Sequence, residues 1–137
     1  MQDSPTANEL ILTVAQFLGA ELAPTLNDAR LKFRALVAAN VLRIVARELE
    51  MSDAQLRAEW ERLNALLNEN ASSDNTRAEV ERMTRALARK IRAGDADAGA
   101  FHNAVYAHVQ QTVMEKLQVA NPKYLERVLK ETAKLRE

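Results

Sequence analysis

At 137 residues the chain fits one domain, and its 19 basic and 19 acidic residues cancel to zero formal charge, so no global field draws it onto nucleic acid or an anionic membrane. The absence of cysteine excludes a disulfide framework, a thiolate zinc site and a cysteine nucleophile. With three glycines, three prolines and much alanine, leucine, arginine and glutamate, there is little material for hairpin turns and a bias toward helix.

The opening "MQDSPTANEL" carries no basic n-region and leads into an amphipathic stretch, so no signal peptide is expected. No apolar run approaches the roughly 20 residues of a bilayer span, so a soluble, cytoplasmic chain without membrane contact is expected. Ser4 and Pro5, then Thr6 with Glu9 three residues on, form a helix-start signature in which a hydroxyl and a carboxylate satisfy free amides of the first turn. The first helix is predicted over about 7 to 22, with Leu10, Val14, Phe17, Leu18 and Leu22 at helical spacing. Pro24 breaks the pattern, and a second helix follows over about 26 to 50.

Ser52 with Gln55 repeats the capping signature and predicts a third helix striped by Leu56, Trp60, Leu63 and Leu67, ending in "NENASSDNT". Thr76 with Glu79 starts a fourth, with Val80, Met83, Leu87 and Ile91 on one face and Gly94 as its stop. "GDADAG" connects to a fifth over about 97 to 119. Asn121 and Pro122 cap and begin a sixth, over about 122 to 136, with Leu125, Val128, Leu129, Thr132 and Leu135 on one side. There is no internal repeat and no strand-length alternation. The predicted fold is all-α: a single-domain bundle of about six helices over residues 1–137.

The second helix has two apolar stripes, Phe33, Val37, Val41 and Ile44 on one side and Leu31, Ala35, Ala38, Leu42 and Leu49 on the other. Packing on both faces would place it centrally. Asn40 sits within the first stripe, where a buried unpaired amide would cost about 1–3 kcal/mol, so partners are expected. The amide either bridges to a helix end or loop backbone, or holds a ligand or partner, or touches water. Lys116 falls inside the apolar arc of the fifth helix, Phe101, Val105, Val109, Val113 and Leu117. It either meets the negative helix end with its stem packed and its amine in water, or binds an anion.

His102 and His108, six residues apart, do not form a chelating pair, and His108 reads as a boundary residue. The ring of Tyr124 is expected to pack while its hydroxyl finds a polar neighbour. "DAD" at Asp95 to Asp97 lacks the later glycine and glutamate of a calcium loop and reads as a linker and cap. There is no glycine-rich phosphate loop, nucleophile elbow or histidine–carboxylate metal motif, so no catalytic residue, metal site or cofactor is assigned and an enzyme is poorly supported. Arg82, Arg85, Arg89, Lys90 and Arg92 make a local basic face, but Glu79, Glu81 and the lack of interleaved aromatics argue against nucleic acid.

Two segments, "VAANVLRIVAREL" (37–49) and "MEKLQVANPKYL" (114–125), with the opening "MQDSPTANELILTVAQFL", resemble a family of short bacterial proteins known only as a domain of unknown function. The resemblance is weakest between about residues 51 and 96. It implies a gene neighbourhood of acyl-CoA dehydrogenases and of kinases similar to aminoglycoside phosphotransferases. Asn40, Arg47 and Glu48 in the first segment, with Lys116, Asn121, Pro122 and Tyr124 in the second, match the family's motifs. Family members often carry histidine where this chain has Phe33 or Arg34, so no role needing an imidazole there carries over.

Asn40, Arg47, Glu48, Lys116, Asn121 and Tyr124 are therefore the expected binding residues. Asn40 is expected to face the start of the sixth helix, where "ANPKY" exposes backbone groups that need partners. The expected function is a non-enzymatic accessory protein that binds a kinase-like or acyl-CoA-dehydrogenase-like partner, with self-association through the C-terminal helix as a further expectation. The competing class is a small-ligand or acyl-group binding module with a pocket near Asn40 and Lys116.

Overall fold

A computed structural model describes residues 4–69 and 75–134 of the chain. Among them every regular element is helical: α1 (Ala7–Gln16), a π-helical segment (Phe17–Leu22), α2 (Ala23–Thr25), α3 (Ala29–Leu67), α4 (Thr76–Arg92), α5 (Gly99–Ala120) and α6 (Pro122–Lys134). The expected all-α fold is observed. The chain divides into two compact units, Met1–Met51 and Ser52–Glu137, and α3 contributes its first part to one and its second part to the other.

In the first unit, α1 opens on the expected capping box. Glu9 N–H donates to Thr6 Oγ1 at 3.2 Å, and Thr6 N–H donates to Glu9 Oε2 at 2.6 Å. These bonds to the charged form hold the Glu9 carboxyl below its usual range. The helix does not stop before Pro24. Its hydrogen bonding shifts to the π pattern, with Ala23 N–H donating to Leu18 O, and the chain carries Pro24 into a final short turn before Leu26 turns extended. The shift lies just before a residue whose ring and missing N–H conflict with a regular i−4 bond.

The buried apolar residues of this unit are all small: Ala15, Ala23, Ala39 and Ala46. Gly19 in the π segment lies against α3, where an added Cβ would stand 3.4 Å from Ala39 Cβ and 3.1 Å from Arg43 Nη2. Small side chains let two helices approach closely, and here they define the buried face of α3. The two-sided packing expected of this helix is not observed: Phe33, Val37 and Val41, and Leu31 and Leu49 on the other stripe, are exposed.

In the second unit the expected break at Ser52 is absent, since α3 runs unbroken from Ala29 to Leu67. Gln55 does not reach back to cap a helix; its Nε2 donates at 3.3 Å to the Glu115 carbonyl and to Gln118 Oε1 on α5. The helix ends at Asn68, whose left-handed φ of 53° asparagine tolerates well. The loop expected over "NENASSDNT" lies partly outside the described residues, as does Leu135.

α4 starts at Thr76 as expected, but its cap is Asn75, whose Oδ1 accepts from Ala78 N–H at 3.1 Å. It stops at Gly94, with φ of 89°, where Gly94 N–H reaches Ile91 O and Asp95 N–H reaches Lys90 O. That bond pair is a Schellman closure. Leu63 of α3, Val80, Met83 and Leu87 of α4, Ala96 and Val105 form the core, with Trp60, Leu66 and Phe101 packed against it. α6 starts at Pro122 behind its Asn121 cap and packs on α5 through buried Leu125.

Candidate functional site

A cluster of partly buried polar side chains lies in the second unit, on facing parts of α3 and α5. His108, Gln111, Thr112 and Glu115 are spaced three, four and seven residues along α5, which puts them on one stripe of that helix. Arg62 of α3 meets that stripe. Its Nη1 and Nη2 donate to Glu115 Oε1 and Oε2 at 2.9 and 2.7 Å, a two-pronged pair that fixes both planes. Gln111 Nε2 adds a donor to Glu115 Oε1 at 3.0 Å. Burial pushes the Glu115 carboxyl up, but the hydrogen bonds from Arg62 and Gln111 and the charge of Arg62 outweigh it, so it stays below the usual carboxylate range.

His108 is the one buried polar side chain among the described residues, at 8 % exposure. Burial lowers its pKa, and the Arg62 charge lowers it further against the opposing pull of Glu59 and Glu115. The imidazole is therefore neutral near pH 7. Its Nδ1 is buried without a partner, as are Arg62 Nε, Trp60 Nε1 and Thr112 Oγ1. Beside the cluster runs an open cleft of about 610 Å³, with Arg62, His108 and Gln111 against a wall of Ala65, Leu66, Ala104 and Ala107.

Chemically this arrangement suits clamping and orientation. The Arg62 charge is neutralised by Glu115. Among the described residues, no cluster of three His, Asp or Glu side chains could hold a metal ion.

A second concavity, about 480 Å³, lies between α5 and α6. Val109, Val113 and Leu117 form one wall and Leu125, Val128 and Leu129 the other. The apolar arc expected of α5 thus divides. Val105 is buried in the core, while Val109, Val113 and Leu117 line the groove.

The expected binding residues fall in both units. Asn40 is exposed and has no hydrogen-bond partner among the described residues, so the partners expected of its amide are not observed. The buried face of α3 is the one carrying Ala39 and Ala46, and Asn40 lies off it. The Tyr124 N–H that was to need it is taken by Asn121 Oδ1 at 3.1 Å and by Asn121 O at 3.1 Å. Arg47 is half-buried and Glu48 exposed.

In the second unit Lys116 is exposed, consistent with its amine in water. Asn121 is the α6 cap, and the half-exposed Tyr124 ring lies under the Arg127 guanidinium, 5.1 Å from its centroid, rather than packing inward. His108 is not a boundary residue but the centre of the α3–α5 cluster. The signal available in the sequence was the polar row His108, Gln111, Thr112 and Glu115 at helical spacing. His102 has a separate role, its Nδ1 lying 2.8 Å from Ala96 O at the turn before α5.

The model of one protein family, described as a domain of unknown function (DUF6285), matches residues 24–124. That span holds the whole α3–α5 cluster and most of both units. No curated protein and no solved structure matches the chain.

Proposed function

The chain belongs to the DUF6285 family, and from that footing we propose that it is a non-enzymatic accessory protein that binds a protein partner through the α5–α6 groove. The observation that carries this reading is the groove itself: apolar side chains from two helices line an open channel, with Gln110 and Thr132 at its polar edges. Val113 and Leu129 are each about half exposed there, which is unfavourable in water and favourable beneath a partner. An amphipathic helix with apolar residues three, four and seven apart is the occupant such a channel fits. The α3–α5 clamp holds the α5 wall in register.

The partner class is the kinase-like or acyl-CoA-dehydrogenase-like protein that the family resemblance implies, in a bacterial cytoplasm. Titration of a purified protein of each kind against the immobilised chain tests this. Saturable binding by wild type, abolished in Val113→Glu and Leu129→Glu, is the expected result; binding unchanged in both variants overturns the groove as the site.

A small-ligand or acyl-group module is the second reading, favoured by the volume and apolar walls of the same groove, which fall within the range of small-molecule sites. It moves the ligand from the neighbourhood of Asn40 and Lys116 to α5 and α6. Displacement of a fluorescent fatty acid by acyl chains, lost in Val113→Glu, separates it from protein binding.

A further inference from the structure

On the first part of α3, Phe33, Val37, Val41, Val45 and Leu49 follow one another at four-residue steps, so their side chains form a single ridge along the helix. All five are exposed, Phe33 at 67 % and Leu49 at 57 %. The unit they belong to buries alanines and no large apolar side chain. A helical hairpin of about 50 residues with so slight a core gains little from its own packing and is stabilised by whatever covers its apolar face.

Charge distribution selects the cover. Arg30 and Arg34 flank the N-terminal end of the ridge and Glu48 its C-terminal end, each within about 20° of Val41 round the helix, while Arg43 and Arg47 lie on the far side of α3. None of these three side chains has an ion-pair partner among the described residues. A second ridge of the same sequence laid antiparallel on the first sets basic end against acidic end twice. With Val41 at the two-fold axis, Arg34 of each copy comes opposite Glu48 of the other, whereas a parallel copy would set like charges together.

Five exposed apolar side chains in one row form a continuous face for a partner to cover.

We propose that this ridge is a homodimer interface: a second copy of the chain docks antiparallel on α3, centred at Val41, with Arg34 facing Glu48. The site is separate from the α5–α6 groove, so it stands or falls independently of partner binding.

Sedimentation equilibrium of the full chain, from micromolar to millimolar concentration, is the test, with circular dichroism confirming that each variant is folded. Wild type is expected to dimerise. Val41→Glu, which brings two like charges together at the axis, weakens the dimer by roughly a hundredfold or more. Arg34→Glu and Glu48→Arg each weaken it by roughly threefold to tenfold, and the double reversal restores it. A monomeric wild type overturns the proposal. So does a dimer indifferent to Val41→Glu, or one that the double reversal fails to restore. Partner binding by Val41→Glu separates the sites: the groove reading expects it intact even when the dimer is lost.

Discussion

Arg62 grips both carboxylate oxygens of Glu115 from 53 positions away in the chain, at 2.9 and 2.7 Å. The pair ties the second part of α3 to α5, and neither side chain is far from water: Arg62 is 25 % exposed and Glu115 12 %. Around it Gln111 steadies the carboxylate and His108 stays neutral, so the cluster joins the two helices with matched charge.

Replacing Glu115 by glutamine keeps the shape and removes the charge. It leaves Arg62 half-withdrawn from water without its counter-ion, and about 1–3 kcal/mol of stability is expected to be lost. Urea unfolding followed by the fluorescence of Trp60, the one tryptophan in the chain, measures it. Arg62→Met strands the more buried Glu115 carboxylate with Gln111 as its remaining side-chain donor, so it should cost at least as much as Glu115→Gln.

His108 makes stability depend on pH with a definite sign. Its folded pKa lies below the ordinary imidazole value of about 6.5, so on acidification the unfolded chain takes up the proton first. The stabilisation is fully present above about pH 6.5 and is lost as pH falls from there through the folded pKa. His108→Leu should flatten the stability profile over that window. An unaltered profile in the variant would mean that His108 titrates normally.

Leu63 and Met83 are fully buried where α3 and α4 meet. Truncating either to alanine removes apolar contact and leaves a cavity, for an expected loss of about 2–5 kcal/mol. Phe33→Ala, on the exposed ridge, should cost well under 1 kcal/mol at concentrations where the chain is monomeric. Parallel denaturation curves check the contrast.

Asn121 caps the start of α6, its Oδ1 accepting from Tyr124 N–H. Asn121→Ala is expected to cost about 0.5–2 kcal/mol, expressed as fraying of α6. Amide hydrogen exchange in the first turn of α6 reports it: faster exchange at Tyr124 and Leu125 with little change in α4 is the expected pattern.

Much of the architecture was written locally. The Thr6 and Glu9 box, the Gly94 stop and the Asn121 cap each depend on residues within five positions of one another, so the sequence contains all the atoms that make those bonds. The all-helical composition and the amphipathic face of α4, with Val80, Met83 and Leu87 buried, are legible for the same reason.

What the sequence did not decide is which face meets which. Ser52 and Gln55 satisfy the local rule for a helix start, yet α3 continues through them because Gln55 gains its partners on α5, some 60 positions away. His108 and Val109 are neighbours, but one is buried against α3 and the other lines the α5–α6 groove. Asn40 lies on an apolar stripe and is nonetheless exposed, because on the first part of α3 small alanines, rather than the larger residues beside them, are buried. Capping and helix propensity are short-range, so the sequence by itself determined that the fold is all-α and where the locally capped ends at Thr6, Gly94 and Asn121 fall, but not that α3 runs on through Ser52. Burial is set by the surface another helix presents, and that only the tertiary structure could decide.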